Sequence, residues 1–210
     1  MDSLREKLWQ PYPAFIVGVL LSFGLGAWLL ADKPHSHHHD TTHPVGYAGN
    51  KDEVHVHSDW LVHLNGVTYD FSADAYQTTA LQELSDTIHL HDNNGLVVHR
   101  HADDVTLADF LNSLGFTLTD SCITTDKNKG FCTNTEQVLT VYVNDEPIVE
   151  PSQYVNQEED QILIYYGARD DTKTLTALLG QLSNQACIYS GTCPERGTPP
   201  PESCGTSCEL

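Results

Sequence analysis

Apolar and polar residues alternate from Val54 to Leu64. Val54, Val56, Trp60, Val62 and Leu64 fall on one face of an extended chain, and His55, His57, Asp59 and His63 on the other. Asn65-Gly66 suits a tight hairpin turn, and Val67 to Phe71 returns. Residues 74–86 show no clear period and suggest at most a short helix. Ile88 to His91 and Leu96 to His101 predict a second hairpin around Asn93-Asn94-Gly95. The period then changes. Thr106 opens a helix with Asp109 placed for a capping box, Leu107, Phe110, Leu111 and Leu114 form its stripe, and Gly115 ends it. Gln137 to Val143 predicts a strand turning at Asn144-Asp145, and Gln161 to Tyr166 another, ending at Gly167. Leu175, Leu178, Leu179 and Leu182 predict an amphipathic helix over Thr172 to Ala186. Hairpins, one well-capped helix and further strands indicate an α+β fold, with a β-grasp-like sheet packed on the Thr106 helix.

A different pattern precedes this domain. Leu8 to Ala31 carries no charge, and its apolar part, residues 14–31, is long enough to cross a ~30 Å hydrocarbon core. Trp9, Tyr12 and Trp28 lie near its ends, where amphipathic aromatics favour the interface. A cleaved signal peptide calls for small residues at −3 and −1, and the end of the run offers only Leu29 and Ala31. The segment therefore reads as an uncleaved single-pass anchor. Arg5 and Lys7 precede it and only Lys33 follows closely, so residues 1–13 are expected in the cytoplasm and the rest outside. Ala14, Gly18, Ser22 and Gly26 recur at a spacing that suits either a helix–helix contact, and so a homodimer through this segment, or small residues simply tolerated in lipid. Residues 32–52 form a polar, histidine-rich linker, 53–169 the folded domain, 170–186 its amphipathic helix, and 187–210 a tail rich in Cys and Pro.

Charge and cysteine content narrow the class. The chain has 10 Lys+Arg against 29 Asp+Glu, a net charge of −19. Such a field repels nucleic acid and concentrates cations. All six cysteines (Cys122, Cys132, Cys187, Cys193, Cys204 and Cys208) follow the anchor, where an even count suggests disulfides. Cys122 and Cys132 bracket a short polar loop and are expected to pair. For the four tail cysteines two disulfides are favoured, with a four-cysteine zinc site as the alternative.

The chemistry lies in the histidines. His55 and His57, His89 and His91, and His99 and His101 form three alternating pairs, each on one face of its strand. The turn decides whether the second and third pairs meet. A two-residue turn at Asn94-Gly95 sends them to opposite sides. A three-residue loop with Gly95 in the left-handed position sets His89 opposite His99, with His91 and His101 on the diagonals. Opposed Cβ atoms lie ~4.5–5.5 Å apart, close enough for two imidazoles to share an ion. Asp59 shares the face of His55 and His57, whereas His63 is six residues beyond His57 and is expected to stay outside. The candidate metal ligands are therefore His55, His57, Asp59, His89, His91, His99 and His101. His35, His37, His38, His39 and His43 in the linker are auxiliary ligands. Copper and zinc both suit imidazole.

Glu53 to Gly167 also resembles a family of membrane-anchored extracytoplasmic proteins from archaea and small-genome bacteria. The resemblance rests on His55-Val56-His57-x-Asp59, Asn65-Gly66, His89-Leu90-His91-Asp92, His99-x-His101, Thr106-Leu107-x-x-Phe110, Val143-Asn144, and Asp160-x-Ile162-Leu163-Ile164-x-Tyr166-Gly167. It implies a small α+β domain whose six paired histidines act as one set, and it carries no established activity. Asp145 departs from the glycine expected after Val143-Asn144. A disulfide-isomerase label sometimes attaches to such sequences, but C-x-x-C is absent here. H-E-x-x-H, G-x-S-x-G and a P-loop are absent too, and no glutamate adjoins the histidines in sequence, so no motif supports an enzyme. The expected function is capture, buffering or delivery of copper or zinc outside the membrane. The alternatives are an extracytoplasmic thiol–disulfide oxidoreductase and a pH-sensing interaction module.

Overall fold

The structure, a computed structural model, describes residues 51–79 and 81–199. The expected anchor at 14–31, the linker histidines His35, His37, His38, His39 and His43, and Cys204 and Cys208 lie outside the described residues. Among those described, no helix is long and apolar enough to cross a membrane.

The elements follow the hydrophobic pattern closely. Strand β1 is Lys51–Leu64, and Asn65 and Gly66 both adopt positive φ to turn it into β2 (Val67–Thr68). β3 (Ile88–His89) and β4 (Val97–Ala102) follow, then helix α1 (Leu107–Ser113). Thr106 caps α1 in a complete capping box: its side chain accepts from the Asp109 amide, and the Asp109 carboxylate accepts from the Thr106 amide. β5 (Thr117–Leu118), β6 (Cys122–Thr124) and β7 (Gly130–Cys132) form a separate three-stranded sheet. The Cys122–Cys132 disulfide joins its middle strand β6 to its edge strand β7, and the two cysteines pair as expected. β8 (Gln137–Val143), β9 (Glu146–Pro147) and β10 (Gln161–Ala168) complete the strands.

The main sheet has seven strands in the order β3-β4-β1-β10-β8-β9, with β2 beside β1. β1 and β10 run parallel at its centre, and β4 and β8 flank them antiparallel. Alternation on β1 sends Trp60, Val62 and Leu64 into the main core. There they meet Phe110 and Leu111 of α1, with Phe71, Phe116, Ile162 and Ile164. All are at least nine-tenths buried, and at ~1.5–3 kcal/mol per large apolar side chain this layer dominates the favourable side of folding.

The opposite face of the sheet is covered in two parts. α2 (Thr172–Leu179) packs Leu178 onto Leu163 and Tyr165, with Leu61, Tyr142, Leu175, Leu179 and Leu182 around them. The expected helix over Thr172 to Ala186 is thus interrupted. It ends at Gly180, whose amide turns back to the Leu178 and Thr176 carbonyls, and a separate short helix, α3 (Ala186–Tyr189), follows. The segment after Arg169 belongs to the same compact unit as the sheet. It covers the second half of this face, where the histidines lie.

Candidate metal centre

Three neighbouring strands place histidines in one row. His99 on β4 pairs with His89 on β3 and with His57 on β1. The expected face assignment therefore holds: Ile88, Leu90, Val98 and Arg100 are buried on the other side. Arg100 is satisfied there by the Asn156 and Ala102 carbonyls, 3.1 and 2.7 Å away.

The register arises from a different turn than expected. Asp92 and Asn93 carry the positive φ, and the Asn94 amide closes the turn onto the His91 carbonyl at 3.0 Å. Asn94, Gly95 and Leu96 intervene before β4, the Leu96 carbonyl already accepting from the Trp60 amide at 3.0 Å, and this odd number of extra residues restores the pairing of His89 with His99. Gly95 is not left-handed. A Cβ there would meet Ser72 N at 2.5 Å and Phe71 C at 2.6 Å, and its carbonyl accepts from Trp60 Nε1 at 2.9 Å. Close approach of backbones, rather than a turn conformation, requires glycine at this position.

Six imidazoles converge. Ring centroids lie 4.5 Å apart for His55–His57 and His55–His101, 4.8 Å for His57–His99, 3.9 Å for His91–His99, and 5.0 Å for His89–His101. The nitrogens of His55, His57 and His99 all fall within 4.8 Å of one another, a set that could hold a metal ion. Ligands on one tetrahedral ion at ~2.0–2.1 Å sit ~3.4 Å apart, so only small ring movements are needed. His63 stands apart, stacked on Tyr165 and bonded through Nδ1 to Thr68 Oγ1 at 2.8 Å.

Oxygen atoms orient the rings from outside. His89 Nδ1 lies 2.9 Å from the Ser85 carbonyl, which can only accept, so Nδ1 carries the proton and Nε2 the lone pair. His91 Nδ1 meets Asp92 Oδ2 at 2.8 Å, and His91 Nε2, at the far end of a fully buried ring, has no hydrogen-bond partner. His57 Nδ1 lies 3.1 Å from Ser190 Oγ and 3.6 Å from Glu158 Oε1. An outer oxygen that fixes the tautomer and leaves the inner nitrogen basic is the usual support of a metal-binding histidine. Burial pushes His99 well below its ordinary pKa of 6.5, and His91, His57, His89 and His101 push the same way. The centre of the cluster is therefore neutral, the form that binds metals.

The cover comes from α3 and its flanks. Tyr189 lies edge-on to His99 with centroids 4.9 Å apart, and its hydroxyl accepts from Asn94 Nδ2 at 2.9 Å. Asp59 anchors this cover: its carboxylate accepts from Ser183 Oγ, from the Gln185 amide at 2.8 Å and from the Ala186 amide at 3.1 Å. These bonds engage both Asp59 oxygens at the start of α3, away from the role of ligand expected from sequence. The Cys187–Cys193 disulfide closes the cover on itself.

Glu158, Ser190 and Tyr189 escaped the sequence reading. Burial pushes the Glu158 carboxyl up, but hydrogen bonds with His57 and Ser190 outweigh it and its pKa is lowered. A parallel pairing of β1 with β10 sets the residues before Gln161 beside His57, and the Glu159 amide indeed bonds the His57 carbonyl at 2.7 Å. That parallel register was the available clue to Glu158. Tyr189 and Ser190 had none. No protein-family model, curated protein or solved structure matches the chain.

Proposed function

We propose that this chain is a membrane-tethered, extracytoplasmic metal-binding protein that captures copper or zinc for buffering or delivery. The observation that carries the reading is the row His89–His99–His57 across three adjacent strands, surrounded by three further imidazoles and buried. Buried polar groups need partners, and imidazoles clustered around His99 and supported from outside by carboxylate and carbonyl oxygens gain most from a transition-metal dication. The residues before 32 supply the tether, the linker histidines collect ions at the surface, and the acidic exterior raises their local concentration. The parallel β1–β10 pair at the sheet centre, with α1 packed beneath it, fits the β-grasp-like reading, and the histidine pairs fit the extracytoplasmic family that the sequence resembles.

Calorimetry on the purified, metal-free full chain in detergent tests this. The linker histidines are first replaced by asparagine so that they do not contribute. Copper(II) and zinc(II) are titrated separately into this protein and into its His89→Ala/His99→Ala form, which removes the facing pair on β3 and β4. Losing two direct ligands is expected to weaken binding by at least ~100-fold, more than a supporting-residue change costs. Unchanged affinity in the double variant, or no binding in the parent, overturns the reading.

A further inference from the structure

We propose that the cluster is a two-ion centre, with His55, His57 and His99 holding one ion and His89, His91 and His101 a second beside it. The inference rests on the metal-binding reading above and deepens it.

Spacing argues against one shared ion. His57 and His89 occupy strands separated by β4, so their backbones stand about 10 Å apart at ~4.8 Å per strand. Their rings are also held at opposite ends: His57 by Ser190 and Glu158, His89 by the Ser85 carbonyl. Imidazoles bonded at ~2.0–2.1 Å put their centroids ~5 Å apart on a tetrahedral ion. The first triad shows 4.5 and 4.8 Å along two edges and 6.4 Å along the third. In the second, His89 lies 5.0 Å from His101 and 5.7 Å from His91. The first set already brings three ligand nitrogens within reach of one ion; the second, with two comparable edges, would close on an ion by rotation of its rings. The triads touch where His91 meets His99 and His55 meets His101.

Support and charge follow the same division. Each triad includes one histidine backed by a carboxylate: His57 by Glu158 at 3.6 Å and His91 by Asp92 at 2.8 Å. The buried Nε2 of His91 is a nitrogen that an ion in the first triad alone would leave without a role. A second dication, with its own carboxylate close by, gives that nitrogen a partner and offsets the added charge.

The test uses the full chain, with the linker histidines replaced by asparagine, loaded with copper(II) and freed of excess. Elemental analysis is expected to give two ions per chain. Their proximity is expected to couple the spins through space, so that the paramagnetic resonance signal is broadened and gains a half-field line. The His89→Gln/His91→Gln and His55→Gln/His57→Gln forms are each expected to retain one ion with a narrow signal that lacks the half-field line. One ion per parent chain, or two ions with neither broadening nor a half-field line, overturns the two-ion centre while leaving the metal-binding reading intact. Absence of copper from the parent overturns both.

Discussion

His99 is the residue on which the site turns. It sits on the middle strand, fully buried, with His57 and His89 in register on either side and Tyr189 edge-on above it. Its environment resists a proton, and this links the site to stability. The unfolded chain takes the proton near pH 6.5, whereas folded His99 takes it only well below. The native contribution is therefore complete above about pH 6.5 and is lost as pH falls toward the depressed folded value. The loss per group is limited to ~1.4 kcal/mol per pH unit. Burial lowers His63 as well, against a smaller opposing pull from Asp171, and adds a loss of the same sign. The urea midpoint of the metal-free protein is expected to be clearly lower at about pH 5 than at about pH 7.5. A flat or rising midpoint on acidification would contradict the burial of a neutral His99.

Asp59 and α3 connect the element scale to the site. A carboxylate on the histidine face of β1 holds the first turn of a short helix from a distant part of the chain. Asp59→Ala removes the acceptor from two backbone amides and a hydroxyl, at an expected cost of about 2–4 kcal/mol in stability. Hydrogen exchange at residues 183–193 is expected to rise while that at β8 and β10 stays slow. Uniform protection in the variant would show that the cover does not depend on this anchor.

The longer strands of the main sheet and the α1 cap were legible because each is written in local periodicity or in a fixed capping spacing. By contrast, β6 and β7 lie in what reads as a polar loop between Cys122 and Cys132, and the pairing of His89 with His99 was reached through the wrong turn. Gly95 was legible as a special position, but for the wrong cause. Its constraint comes from Phe71 and Ser72, about twenty residues away. The break in the predicted C-terminal helix follows from Gly180, and the leucine stripe running through it hid the stop. What covers the histidines was not legible at all. Asp59 to Ala186 and His57 to Ser190 are contacts between residues more than a hundred positions apart, with no period to announce them.

At the scale of the whole molecule, one sheet serves two purposes. Its first face carries the main core on α1, and its second is divided between a small apolar cluster under α2 and the imidazole cluster under α3. The two described disulfides divide in the same way. Cys122–Cys132 ties the separate small sheet, and Cys187–Cys193 ties the cover of the imidazoles. Neither pair has the C-x-x-C spacing of a redox catalyst, with sequence separations of 10 and 6.

The Cys187–Cys193 link also bears on time. It closes the segment that lies over His57, His91 and His99, so lifting of that segment is the expected route for an ion to leave. Closing so short a loop contributes about 2 kcal/mol against opening, or about 30-fold in the opening constant. Mild reduction, or Cys187→Ser with Cys193→Ser, is expected to speed loss of bound zinc to a chelator by about that factor, with a much smaller change in equilibrium affinity. Equal escape rates with and without the link would rule this out. With the link formed the site would follow changes in the ions around it slowly, and with the link reduced quickly, so that the oxidising power of the surroundings sets the pace of exchange.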